Sequence, residues 1–182
     1  MLDLGYEFEV ISPDIDEKAI RHENPENLTL AIAEAKNRAV RARLDEPAII
    51  ITSDQVVICN GLIREKPVDK EEAYEFLKSY AEFPAETCTA VVVSNTDSDN
   101  ILKEVDIAKI YFRVIPDEII FELIDQGNIF NAAGAFIHED PLLVPYIERI
   151  EGESESVSGL PKEMTRRMIE EIRCAEQDSF IT

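Results

Sequence analysis

Apolar residues recur along the chain at two spacings. From Leu28 the residues Leu28, Ile32, Ala35, Ala39 and Ala42 follow a helical period while Lys36, Arg38 and Arg41 fall on other faces, which predicts a first helix. Residues 48–58, "AIIITSDQVVI", read as a buried strand, and Asp69 with Glu72 forms a capping box opening a helix through Tyr80. "ETCTAVVVSN" predicts a second strand. In "DIAKIYFRV" the residues Ala108, Ile110, Phe112 and Val114 alternate with Lys109, Tyr111 and Arg113, the pattern of a strand with one solvated face. Pro116 and Asp117 start a short helix closed by Gly127, "AGAFIHE" reads as a further strand, and "GLPKEMTRRMIEEIRCA" opens a helix with proline near its first turn. The tail "EQDSFIT" is expected to fray. The mixture is α/β, with no internal repeat, low-complexity segment or linker, and predicts one domain over residues 1–182.

One residue is out of character in this pattern. Asp54 interrupts a β-branched run, and a buried carboxylate is costly unless it is paired or set on a cation. Lys66 follows a turn around Asn60 and Gly61, and Glu34 and Lys36 lie on the first helix. Acids and lysines delivered by different elements can converge at a sheet edge, where the acids hold a divalent metal and orient water while the lysines meet phosphate oxygens. Plainer readings stand beside this one: Glu34 with Arg38 is also an ordinary i,i+4 surface pair, and Lys36 and Lys66 also fit solvated lysines. His22 and His138 lack metal-ligand spacing, and neither a G-x-S-x-G elbow nor a Walker loop is present. Cys59 fits a small buried hydrophobe better than a nucleophile, and the acidic run "IEGESESV", residues 150–157, reads as a solvated turn.

Charge narrows the partners. With 38 acidic against 18 basic residues the formal net charge is −20, which argues against a nucleic-acid polymer or an anionic membrane. A small nucleotide is not excluded, because a few lysines and a divalent cation can hold one triphosphate. Three widely separated cysteines suit a reducing compartment, and no apolar run approaches a membrane span, so a cytoplasmic protein is expected.

In order along the chain, "GYEFEVISPDIDE", "AIAEAKNRAV", "TSDQVV", "REKPVDKEEAYEFL", "TCTAVVV", "AGAF" and "VSGLP" resemble the Maf family of nucleoside-triphosphate pyrophosphatases over nearly the whole length. The resemblance implies a mixed, twisted sheet flanked by helices, related to the inosine-triphosphate pyrophosphatases, with two lobes around a cleft and often a homodimer. It also implies hydrolysis of a nucleoside triphosphate to monophosphate and pyrophosphate with magnesium or manganese. On that resemblance Asp54 is the general base and a metal ligand, Glu34 helps to hold the cation, and Lys36 and Lys66 face the phosphates. Gln55 after the catalytic position and Glu139 after the "A-G-A-F" segment look like the 7-methyl-GTP branch, since a carboxylate can accept from both the N1 and N2 hydrogens of guanine. The family's opening "S-x-S-P-R-R" segment is not in this sequence, where Met1 to Gly5 correspond to the helix that follows it. The alternatives are a dTTP/UTP pyrophosphatase, a nucleotide-binding module without turnover, and an acidic protein whose partner is another protein.

Overall fold

A computed structural model describes residues 5–98 and 100–178, the side chains of 175–178 excepted. Residues 1–4, most of the helix expected at Met1–Gly5, lie outside the described residues, as does the end of the tail, 179–182. Five strands, β1 (Ile49–Cys59), β2 (Leu62–Arg64), β3 (Ala85–Asn95), β4 (Ile101–Phe112) and β5 (Ile147–Glu151), form one sheet in the order β2-β1-β3-β4-β5. Five α-helical segments accompany them: α1 (Pro25–Arg41), α2 (Lys70–Ser79), α3 (Asp117–Gln126), the single turn α4 (Ser154–Val157) and α5 (Lys162–Asp178). The α/β class is as expected. Both edge pairings, β1 with β2 and β4 with β5, are antiparallel, a narrower description than the mixed sheet expected. No helix among the described residues is long and apolar enough to cross a membrane.

The chain packs as two compact units, Met1–Asp54 with Thr89–Val105 and Gly159–Thr182, and Gln55–Cys88 with Asp106–Ser158. In the first, alternate residues of β3 serve opposite faces, as strand geometry requires. Val91 and Val93 pack with Met168, Ile169 and Ile172 of α5, whereas Ala90 and Val92 pack with Ala33 of α1. This explains why β3 is buried along nearly its whole length.

Helix α1 starts at Pro25, three residues before Leu28. Asn24 caps it by accepting the Asn27 N–H at 2.9 Å, and proline suits a first position that has no helical acceptor. Its buried face runs through Leu28, Ile32, Ala33, Asn37 and Val40, so the expected stripe through Ala35, Ala39 and Ala42 is rotated. The polar Asn37 obscured the true stripe. It is buried with its Oδ1 accepting from Ser94 Oγ at 2.8 Å, while its Nδ2 meets no partner among the described residues.

In the second unit, Asn60 (φ 51°) and Gly61 (φ 75°) form a two-residue turn that pairs Cys59 with Leu62, the left-handed geometry a tight hairpin needs. Asp69 caps α2 by accepting from the Glu72 N–H at 2.9 Å, while Glu72 Oε2 accepts from Val68 N–H at 2.7 Å, so the expected box closes one residue upstream of the cap. Gly127 (φ 79°) ends α3 as expected. β4 stops at Phe112, and Val114, expected on its buried face, is exposed.

"AGAFIHE" is not a strand. Gly134 (φ 68°) lies in a short 3-10 turn; its N–H donates to Glu65 O at 3.0 Å and its carbonyl accepts from Tyr80 Oη at 2.8 Å. The fifth strand is β5 instead. Ile147 and Ile150 are three apart and would point to opposite faces of a regular strand, but a bulge between Tyr111 and Phe112 in the register lets Phe112 pair with Ile147 and Ile110 with Ile150. The expected solvated turn at residues 150–157 is likewise part structure: Ile150 and Glu151 belong to β5, and Ser156 and Val157 of α4 are buried.

Candidate active site

Asp54 is set at the end of the first unit by a strand tied down on both sides. Thr52 Oγ1 donates to Ala33 O of α1 at 2.8 Å, and Ser53 Oγ donates to Gly159 O at 2.8 Å. Alternation then turns Asp54 to the same side as Thr52, toward α1, where Lys36 stands one turn after Ala33. Lys36 Nζ reaches Asp54 Oδ1 at 2.8 Å, Glu17 Oε1 at 3.0 Å and Ser53 O at 3.3 Å. An ammonium has three N–H donors, and here three acceptors meet them.

Burial differs within the cluster: side-chain exposure is 11% for Asp54 and 16% for Lys36, but 50% for Glu17. Burial pushes the Asp54 carboxyl above its ordinary range, and the hydrogen bond and charge of Lys36 only partly pull it back. Burial draws Lys36 down, but the hydrogen bonds and charges of Asp54 and then Glu17 outweigh it, so the amine is held above its ordinary value. The result is a permanent cation beside a carboxylate of raised proton affinity. A cavity of about 890 Å³ opens beside them, with Lys36, Thr52 and Ser53 in its wall alongside Tyr6, Phe8 and Ile51. That is ample for a small ligand.

The other expected residues have separate surroundings. Glu34 is engaged with Lys103 at 2.8 Å and Arg38 at 3.4 Å. Gln55, Lys66 and Glu139 belong to the second unit. Lys66 and Glu139 are exposed, on the segment before α2 and on the turn after Ile137. Gln55 points to the strand face opposite Asp54, where its Nε2 donates to Ser156 O at 2.6 Å. Glu17 and Ser53 escaped the sequence reading. Glu17 ends the segment "GYEFEVISPDIDE", but no periodicity marks it, because it sits in the short 3-10 turn Glu17–Ala19.

Two carboxylates converging on one cation make a place suited to positive charge. Among the described residues no group of three or more His, Cys, Asp or Glu could hold a metal by itself. Asp54 and Glu17 present two carboxylates, the number with which a protein usually meets magnesium alongside substrate phosphates.

Residues 1–172 match the family model described as Maf-like protein. The chain belongs to the Maf family. It is 42% identical over 179 residues to a 7-methyl-GTP pyrophosphatase of Dictyostelium discoideum, an alignment covering 94% of this chain and 90% of that protein. A 7-methyl-GTP pyrophosphatase of Idiomarina loihiensis is 38% identical over 137 residues, covering 75% of this chain and 69% of the relative. A dTTP/UTP pyrophosphatase of Geotalea uraniireducens is 32% identical over 157 residues, covering 86% and 80%.

Proposed function

We propose that this Maf protein is a nucleoside-triphosphate pyrophosphatase acting on 7-methyl-GTP, with Asp54 as general base. The observation that carries it is the Lys36–Asp54 contact of 2.8 Å within a chain 42% identical to a relative named for that activity. Asp54 takes a proton from water, the water oxygen bonds to the α-phosphorus, and the bond from that phosphorus to the α,β-bridging oxygen breaks. Monophosphate and pyrophosphate leave. A carboxylate whose proton affinity has been raised by burial is a better base than a solvated one, and the hydrogen bond and charge of Lys36 favour its ionised form.

Asp54, with Glu17 or Glu34, would hold magnesium or manganese, which supplies charge to stabilise the triphosphate oxygens. Glu17 suits this better, because it already shares a cation with Asp54. Lys36 and Lys66 meet phosphate oxygens. Of the two positions that suggest guanine, Glu139 is proposed to accept from the base edge because it is exposed, whereas the Gln55 amide is bound to Ser156. The proposal extends to a homodimer, on the family resemblance, and to the cytoplasm, on the scattered cysteines, which sedimentation and cell fractionation check.

The test is pyrophosphate release from 7-methyl-GTP, UTP and dTTP with magnesium, for the protein and for Asp54→Asn. Turnover of 7-methyl-GTP above the other two, abolished in Asp54→Asn, is expected. Preference for UTP or dTTP would overturn the substrate assignment, and equal turnover in Asp54→Asn would overturn the base.

A further inference from the structure

Two consecutive residues of β1 hold the Lys36 ammonium, and they do so with different groups. Asp54 offers its side chain, while Ser53 offers its backbone carbonyl at 3.3 Å. A carbonyl can aim at a given point only if its peptide plane is fixed, and that plane belongs equally to Asp54, whose N–H it carries. Whatever fixes the Ser53 peptide therefore fixes the root of the Asp54 side chain. The Ser53 hydroxyl is placed to do this: it leaves the opposite strand face and donates to Gly159 O at 2.8 Å.

Gly159 is a firm anchor. Its φ of 91° lies in the left-handed region that side chains rarely adopt. Two residues on, the Pro161 carbonyl accepts from both the backbone N–H of Thr165, at 3.0 Å, and its Oγ1, at 2.7 Å, fastening the turn to the start of α5. Helix α5 is in turn held to the sheet through Met168, Ile169 and Ile172.

We propose that Ser53 is a positioning residue of the active site: its hydroxyl, anchored on Gly159, orients the peptide whose carbonyl and following carboxylate together hold Lys36. This rests on the catalytic roles given above to Asp54 and Lys36. In this role Ser53, which also lines the cavity, acts through its neighbours. Losing the hydroxyl lets the peptide rock, so that Lys36 keeps its charge and loses its fixed place.

The experiment compares Ser53→Ala and Ser53→Thr with the unmodified protein in two readouts. In steady-state kinetics with 7-methyl-GTP, Ser53→Ala is expected to lower kcat about tenfold, the worth of one hydrogen bond, with KM moving less than about twofold; Ser53→Thr, which keeps the hydroxyl, recovers most of the loss. In the second, Lys36 is labelled with trinitrobenzenesulfonate and the label is located by mass spectrometry. Faster labelling in Ser53→Ala than in Ser53→Thr is expected. A rise in KM at constant kcat would make Ser53 a substrate contact, and unaltered kcat with unaltered labelling would remove its role altogether; either overturns the proposal. If the unmodified protein turns over no nucleotide, the proposed function fails, and the labelling decides the positioning role by itself.

Discussion

Lys36 and Asp54, eighteen positions apart in the chain, meet at 2.8 Å with both side chains largely buried. Taking two charges out of water is repaid only by close geometry and further hydrogen bonds, here those from Lys36 to Glu17 and Ser53.

Asp54→Asn keeps the size of the side chain and removes the proposed base. Turnover is expected to fall by about a hundredfold to ten-thousandfold, the usual range for a general base, while circular dichroism keeps its folded signature. A loss confined to KM would contradict the role.

The neighbours of Asp54 pull its titration in opposite directions. Lys36 lowers its proton affinity and Glu17 raises it, against a larger upward push from burial. In the metal-free protein, carbon-13 NMR of the Asp54 carboxyl should titrate above the ordinary 3.8, higher still in Lys36→Gln and lower in Glu17→Gln. Asp54 binds its proton more tightly folded than unfolded, so its contribution declines as pH rises from 3.8 through the raised value. Lys36 contributes fully below 10.5, and that contribution is lost as pH climbs through its raised folded value. Denaturant melts of Asp54→Asn should lack the part of the decline that sets in as pH rises above 3.8.

Gly134 is irreplaceable for packing reasons. A Cβ there would lie 2.7 Å from Tyr80 Oη and 2.8 Å from Val57 Cγ1, at a backbone φ of 68°. Overpacking and the left-handed backbone together should make Gly134→Ala cost roughly 2–5 kcal/mol in urea unfolding. Tyr80→Phe, which leaves the Gly134 carbonyl without its phenol donor, should cost about 1–3 kcal/mol.

Gln55 separates two ideas of substrate choice. Its identity suggests the 7-methyl-GTP branch, yet its amide is bound to Ser156 O on the strand face away from Asp54. Gln55→Leu should therefore lose about 1 kcal/mol of stability while the ratio of kcat/KM for 7-methyl-GTP over UTP stays within about twofold. A collapse of that ratio would show that Gln55 reads the base.

Glu34 and Glu17 differ in the same spirit. Glu34 already neutralises Lys103 and Arg38. Glu34→Gln should shift the magnesium concentration for half-maximal rate by less than about threefold, and Glu17→Gln by about tenfold or more, since a carboxylate on the cation counts for more than one in a surface pair.

The elements and Asp54 were legible in the sequence because their signals are local. Asp69 with Glu72, Asn60 with Gly61, and Gly127 each act within a few residues, and an acid inside "IIITS" and "QVVI" violates burial rules wherever the strand lies. β5 was hidden because its bulge breaks the two-residue period, and the α1 stripe because Asn37 is buried by a partner 57 positions away. Glu17 and Ser53 were missed for the same reason: each acquires meaning only through Lys36, and nothing in their own neighbourhoods points there. Lys36 and Glu34, two residues apart on one helix, looked equivalent until contacts with Asp54 and Lys103 told them apart.

The saturated ammonium of Lys36 also constrains recognition. With each of its donors already engaged, a phosphate oxygen can reach it only by displacing a resident acceptor, and the half-exposed Glu17 is the readiest to leave. Association at this lysine is then an exchange of one anion for another. On the proposed function its free energy is a difference between two similar bonds rather than the worth of one new bond.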